Sequence, residues 1–570
     1  MPKLAPYASA DAASARLPRP YYVAIFFLFF AAPLFAAHLP LLNLPFFWDE
    51  HGQFVPTALD LLRTGAWVAH STVPNVHPPG VEAYLVLWYK LFGYSIVITR
   101  VAMLALASFG ILFTFLLAIE LSKGTRGAPA FIAPVLLLAS PLFFTQSMMA
   151  QLDMPAMVLT LLALLLFVKG RYVAAAWACI GLVLAKETGI VAPFVFFIVL
   201  AVRKDWRHAS LFAAPAIALA GWLLVLHRAT GYWLGNPGFG HYNVEYSLHP
   251  VRMALSFARR IYYLFFAEFR WIGTLALLFA FKRADVFRTG AWGVTAAVAA
   301  GTLVLVSVLG GAELERYLLP VLPIFYIAMG VALTYLPRRI SMATAAALLV
   351  GLVANLFWNP PYPFPYENNY AMVDFVRLQQ AAAQFAEQNL RDRTIATAWP
   401  FTAGLESTDY GFVSHKLRTV ETNDFHFSSI AALAPASFDA LITYSRTWAP
   451  HWSVISWPPV RRFLTRFYDW QPEITPEQCQ QLGLRQVVSL RMRGQEISIY
   501  VRGDLPRMPG ELVHSTSHRT LRTWVKFGSH GGPSSSCSWF TGWWLPPGSH
   551  AFRQSKRNCT SATASSGSRC

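Results

Sequence analysis

Apolar runs close to 20 residues long recur over the first 358 positions and are separated by short polar connections. A helix needs about 20 mostly apolar residues to cross the hydrocarbon core of a bilayer. The runs near 21–44, 97–121, 129–147, 154–168, 172–186, 188–202, 209–227, 261–281, 290–309, 318–336 and 340–358 predict eleven spanning helices, two of them short. The pattern then changes. Pro-Pro-Tyr-Pro-Phe-Pro-Tyr at 360–366 reads as a stiff exit. A helical stretch follows at about 370–390, then β-like runs at Thr394–Trp399 and Phe438–Tyr444. Gln486–Leu490 and Glu496–Val501 flank a turn at Met492–Gly494, the pattern of a hairpin. The expected fold class is an all-α polytopic membrane protein with a small C-terminal α/β domain. Its expected divisions are an N-terminus at 1–20, a membrane domain at 21–358, the α/β domain at 359–511 and a basic tail at 512–570.

Composition agrees with that pattern. Of 570 residues, 55% are hydrophobic and 13% charged, where a soluble chain has about 25% charged. A soluble enzyme and a disordered protein are excluded. Five cysteines without a C-x-x-C pair argue against a thiolate metal site or a disulfide framework. The net charge of +17 would suit nucleic acid, but its distribution points to a membrane. Lys123 and Arg126, Lys169 and Arg171, Arg203, Lys204 and Arg207, Lys282, Arg283 and Arg288, and Arg338 and Arg339 fall in alternate connections. The intervening connections carry Asp49, Glu50, Asp153, Glu313 and Glu315. Basic residues collect on the cytoplasmic side, so the N-terminus is expected inside and the C-terminal domain outside. The expected location is a bacterial inner (plasma) membrane, with membrane lipids and no nucleic acid as partners. The first apolar run is longer than a signal-peptide core. The tail from Leu512 has seven basic residues, no acid and no periodicity; its Asn558-Cys559-Thr560 fits a glycosylation sequon.

Chemistry concentrates on the outer side. The connection at 46–96 begins Phe46-Phe47-Trp48-Asp49-Glu50-His51 and continues to His77-Pro78-Pro79-Gly80. Ionisable groups at a membrane boundary mark substrate or ion pathways; the plainer reading is a headgroup-level helix cap. Asp153, in Leu152-Asp153-Met154-Pro155, reads as a second site acid or as an N-cap ahead of a first-turn proline. Lys186, before Glu187, can hold an anion or snorkel to the surface. Arg316, in Glu313-Leu-Glu-Arg-Tyr-Leu-Leu-Pro320, can grip a phosphate or pair with Glu313 or Glu315. Arg259 and Arg260 can meet a carrier phosphate or anionic headgroups.

Trp48-Asp49-Glu50 after the first span resembles the Asp-Glu signature of the C-type (GT-C) membrane glycosyltransferases. His77-Pro78-Pro79 is similar to that group's Lys-Pro-Pro loop motif, with His77 in place of the common lysine. Leu152–Pro155, Lys186-Glu187 and Arg316–Pro320 follow in the order of the branch holding protein O-mannosyltransferases and aminoarabinose transferases. The resemblance covers roughly residues 20–340. It implies a hexosyl- or pentosyltransferase moving a sugar from a polyprenyl-phosphate donor to a protein, lipid or glycan acceptor at the outer face, with inversion. It implies Asp49 as catalytic base and Glu50 as a companion that orients the site or ligates metal. Asp153 becomes a second metal or acceptor ligand, and His77, Lys186, Arg316 and Tyr317 become substrate-binding residues. An oxygen-rich pocket would suit a divalent cation, Mg²⁺ or Mn²⁺. The rival readings are a transporter or flippase, whose inverted repeats and mid-bilayer charges are not seen, and a non-catalytic envelope assembly protein.

Overall fold

The computed structural model describes residues 20–123, 125, 129–309, 311–450 and 454–503. The N-terminal leader, Arg126 and the basic tail with its sequon lie outside the described residues. One compact unit, Met1–Arg507, contains all of the described residues.

The predicted apolar segments are helical, but fewer reach spanning length than the sequence pattern suggests. Among the described residues five helices are long and apolar enough to cross a membrane: Val23–Leu41, Ile96–Leu121, Trp206–Thr230, Gly290–Val308 and Arg338–Phe357. A sixth span results if Pro250–Phe265 and Arg270–Phe281, bent by 86° at their junction, count as one. The expected eleven is therefore not reproduced by length. Asp153–Val168, Tyr172–Ala185, Glu187–Val202 and Leu322–Leu333 are shorter apolar helices, and the longest of them, of 16 residues, rise only about 24 Å at 1.5 Å per residue. The predicted 129–147 segment divides at Ser140, where Pro141 begins a new helix. Leu322–Leu333 is buried along its whole length, so it is part of the helical core and not of its lipid-facing surface.

After the last long helix the chain folds back. Ala371–Asn389 is the predicted helix. The sheet that follows has five strands: β1 (Thr394–Ala398), β2 (Arg418–Thr422), β3 (Ala440–Tyr444), β4 (Leu484–Met492) and β5 (Gln495–Arg502). Their order is β2-β1-β3-β5-β4. β1 pairs in parallel with β2 and β3, while β5 runs antiparallel to both β3 and β4. The β4–β5 hairpin turns at Arg493 (φ 44°) and Gly494 (φ 86°), the pair of positive φ values that matches strand twist. β1 and β5 are almost fully buried, whereas β4 alternates at the sheet edge.

The carboxyl ends of β1 and β3 meet the connection that follows the first helix. Trp48 has φ 41° and lies among Phe375, Trp399 and Tyr444, with ring centroids at 5.9, 6.5 and 6.0 Å. A left-handed tryptophan costs roughly 1–2 kcal/mol, offset by this aromatic packing. The sheet domain thereby fixes the backbone one residue before Asp49.

Candidate active site

Four of the residues named from sequence converge, and Arg316 is their centre. It lies in a short 3-10 turn, Glu315–Leu318, so its side chain leaves the turn toward the start of the Asp153–Val168 helix. One guanidinium nitrogen bonds Asp49, Nε stands 3.2 Å from Asp153 Oδ2 and Nη1 stands 3.4 Å from Glu367 Oε2. Arg316 itself is buried. Burial disfavours its charge, but Glu367, Asp49 and Asp153 outweigh that and raise its pKa well above the usual arginine value.

Asp153 is the first residue of its helix and does not cap it; the N-cap is Leu152. Its other oxygen binds Lys186. Lys186 ends the Tyr172–Ala185 helix in an extended conformation and is buried, so it does not snorkel. Its Nζ sits 4.3 Å from the centre of the Tyr317 ring, a cation–π contact. Asp49 is the most open of the three carboxylates, its side chain 15% exposed against 4% for Asp153 and Glu367.

His77 joins through a neighbour. Its Nδ1 lies 2.8 Å from Glu187 Oε2, next to Lys186 in sequence. Gly80 permits this approach, since a Cβ there would stand 2.4 Å from the Leu184 carbonyl oxygen.

Glu50 is a correction. It is fully buried, and its Oε1 takes Arg100 and the Ala150 N–H at 2.7 Å, while Oε2 takes the Phe47 N–H at 2.8 Å. Arg100 also donates to the Met148 carbonyl at 2.9 Å. Both carboxylate oxygens are thus engaged by donors, one of them the Arg100 cation, which disfavours a metal at Glu50. Asp153 is likewise held by Arg316 and Lys186. Among the described residues no group of three His, Cys, Asp or Glu side chains can hold a metal ion. The residues present do not fit the expected Mg²⁺ or Mn²⁺, because cationic side chains stand between the carboxylates.

The alternative pairing of Arg316 is also corrected. Glu315 binds Arg259 at 2.6 Å and Asn368 at 3.0 Å, so Arg259 serves a protein carboxylate. Arg260 donates to the Val306 carbonyl. Glu367, missed in the sequence, lies in a short turn at Tyr366–Asn368. Burial, foremost, raises its pKa to about 7 against the pull of Arg316, with Asp49 and Asp153 raising it further. Among the described residues its Oε1 is buried without a hydrogen-bond partner.

A narrow cleft leaves the cluster between helices. Asp153, Lys186 and Tyr317 line it together with Ala156, Val298 and Val306. The site therefore joins buried cations, three carboxylates and a cleft lined by both polar and apolar side chains.

No family model and no curated protein matches the chain. Among solved structures, ArnT from Cupriavidus metallidurans bound to undecaprenyl phosphate aligns over 85% of this chain and 98% of that one, at 15% identity and a TM-score of 0.49. The oligosaccharyltransferase AglB from Archaeoglobus fulgidus, in complex with an inhibitory peptide and a dolichol-phosphate, aligns over 74% and 69%, at 11% identity and a TM-score of 0.45. The arabinofuranosyltransferase AftD from Mycobacteria aligns over 86% and 40%, at 15% identity and a TM-score of 0.39.

Proposed function

We propose that the protein transfers a sugar from a polyprenyl-phosphate donor to an acceptor at the extracytoplasmic membrane surface, with inversion. The observation that carries this reading is the pairing of Arg316 and Lys186 with Asp49 and Asp153 beside a narrow cleft lined by both polar and apolar side chains. A lipid-linked phosphate has both natures, a charged head and a hydrocarbon tail.

The chemistry follows from the charges. The acceptor hydroxyl or amine attacks the anomeric carbon from the side opposite the phosphate, and the carbon–oxygen bond to phosphate breaks with its electron pair going to the phosphate oxygen. The leaving phosphate gains negative charge, which Arg316 and Lys186 stabilise as fixed cations in a site shielded from water. Asp49 takes the proton from the acceptor, a contribution of typically 10²–10⁴-fold for a placed base. Protonation of Asp49 loosens its hold on Arg316 as the phosphate charge grows. His77 and Glu187 orient the loop beside Lys186, and Tyr317 holds the ammonium in place. Glu50, with Arg100, positions the backbone that carries Asp49.

The test uses purified protein with labelled polyprenyl-phosphate sugars and crude envelope acceptor. Wild type is expected to consume one donor and Asp49→Asn to lose at least about 100-fold in rate. Equal rates for the two proteins would remove Asp49 as the base, and no consumption of any donor would overturn transfer itself.

A further inference from the structure

The helix Pro458–Tyr468 has no buried residue. Its sequence places Val460, Phe463, Leu464 and Phe467 on one face and Arg461, Arg462 and Arg466 on the other. Trp457, just before it, and Val454, one turn earlier, are exposed as well. On that apolar face Phe463 is exposed while Val460, Leu464 and Phe467 are half-buried; a partly covered apolar face in a helix with three arginines and no acid is the composition of helices that lie in a membrane interface.

Its attachment supplies the second argument. Arg252 Nε donates to the Phe467 carbonyl at 2.5 Å, and the His249 and Phe467 rings lie 5.7 Å apart. Tyr468 Oη stands 3.5 Å from Glu313. Arg252 belongs to Pro250–Phe265, which meets Arg270–Phe281 at 86°. Arg270–Phe281 packs on the spanning helix Arg338–Phe357. The 86° bend turns Pro250–Phe265 sharply away from the axis of Arg270–Phe281, and Leu255, Phe257 and Tyr262 are exposed on it. The arginine helix is tied to the start of that segment. Asp469, directly after it, is engaged by Arg252 at 3.5 Å, which leaves the three arginines as the dominant charge there.

We infer that Pro458–Tyr468 is a membrane-surface helix whose apolar face enters the lipid and whose arginines bind anionic lipid headgroups. It is a second attachment of the sheet domain to the bilayer, separate from the spans, and it holds that domain against the membrane beside the Arg316 cluster. The inference rests on the membrane reading of the chain and not on the proposed transfer reaction.

The test uses the full chain in lipid nanodiscs, with Cys537, Cys559 and Cys570 replaced by serine and a spin label placed by Phe463→Cys or Arg462→Cys. Relaxation by oxygen reports lipid exposure, and relaxation by a water-soluble nickel chelate reports aqueous exposure. In discs of equal parts phosphatidylcholine and phosphatidylglycerol the 463 label is expected to respond to oxygen and the 462 label to nickel. Combining Arg461→Gln, Arg462→Gln and Arg466→Gln should lower the docked-to-free ratio at 463 on the order of a hundredfold. A nickel-accessible 463 label in the anionic discs overturns the inference. Equal immersion in pure phosphatidylcholine and in the triple variant overturns its anionic-lipid part. Dipolar broadening between labels on two chains assigns the face to a second copy and overturns it too.

Discussion

Glu367 reaches the cluster from the position directly after the 360–366 segment read in sequence as a stiff exit, and no local spacing announces that the chain returns there to the first connection. Its consequence is electrostatic. Asp49, Asp153 and Glu367 face Arg316 and Lys186, so three carboxylates share two cations. Protonating Glu367 relieves the excess, and burial favours the same outcome, which places its pKa near 7. A carboxyl whose folded pKa lies above its unfolded value binds more protons in the native state, so its contribution to stability is fully present below the unfolded pKa and is lost as pH rises through the folded one. Between the ordinary 4.5 and about 7, the wild type should lose roughly 2–3 kcal/mol from this group. Glu367→Gln should flatten thermal stability across that window and be more stable than wild type at pH 8. A Gln variant that keeps the full wild-type slope would show that another group titrates there. Glu50 teaches the reverse lesson. Arg100, whose one charged companion in the 26-residue apolar helix Ile96–Leu121 is Glu120 at the far end, needs a counter-charge. That lone arginine was the available signal that Glu50 is a structural partner.

At the scale of elements, the motif positions were legible because each sits where an apolar helix begins or ends. Asp153 opens one helix, Lys186 closes another and Arg316 precedes a third. Helix length was less legible, because apolar composition fits a buried core helix as well as a span. What composition did not reveal is how the π-helical turn Glu50–Phe54 is seated against the sheet domain. Gly52 makes that contact: a Cβ there would lie 2.5 Å from the Trp399 ring and 2.8 Å from Pro400 Cβ. Gly52→Ala must push apart the turn and the end of β1, and with them the backbone that carries Asp49. Overpacking of this kind costs about 1–3 kcal/mol. The expected result is a lower unfolding temperature and a fall in transfer rate larger than any change in donor binding. Gly293→Ala serves as the control, since it lies in the Gly290–Val308 helix with nothing within 4 Å and should be neutral or slightly stabilising. If Gly52→Ala matches that control in both measurements, the turn is not held by this contact.

For the whole molecule, the sequence divides into a membrane part and a C-terminal domain, yet the described contacts bind the two closely. Phe46 N–H donates to the Tyr410 carbonyl at 3.3 Å, Tyr94 Oη to the Asp409 carbonyl at 2.6 Å and Arg63 to Asp409 at 2.9 Å. Thr145 bonds the Glu367 carbonyl, and Asn368 bonds Glu315. All of these contacts but Asn368–Glu315 join residues hundreds of positions apart, and such pairings are invisible to any local reading of apolar runs. They also make the site a joint product, because Glu367 and the cage around Trp48 come from the C-terminal side while Arg316 and Lys186 come from the helices. Parts that share a buried site and several buried hydrogen bonds should open together. Two cysteines can report this: Cys179, in Tyr172–Ala185, and Cys479, beside the sheet, are both fully buried. On heating in detergent, with the tail cysteines replaced by serine, thiol labelling at the two positions should rise at the same temperature. Ile499→Ala removes a fully buried side chain from β5, at about 2–5 kcal/mol, and should bring both labelling transitions down together. If Cys479 alone becomes reactive early, the sheet domain opens independently, and the carboxylate it brings to Arg316 is then a detachable part of the site.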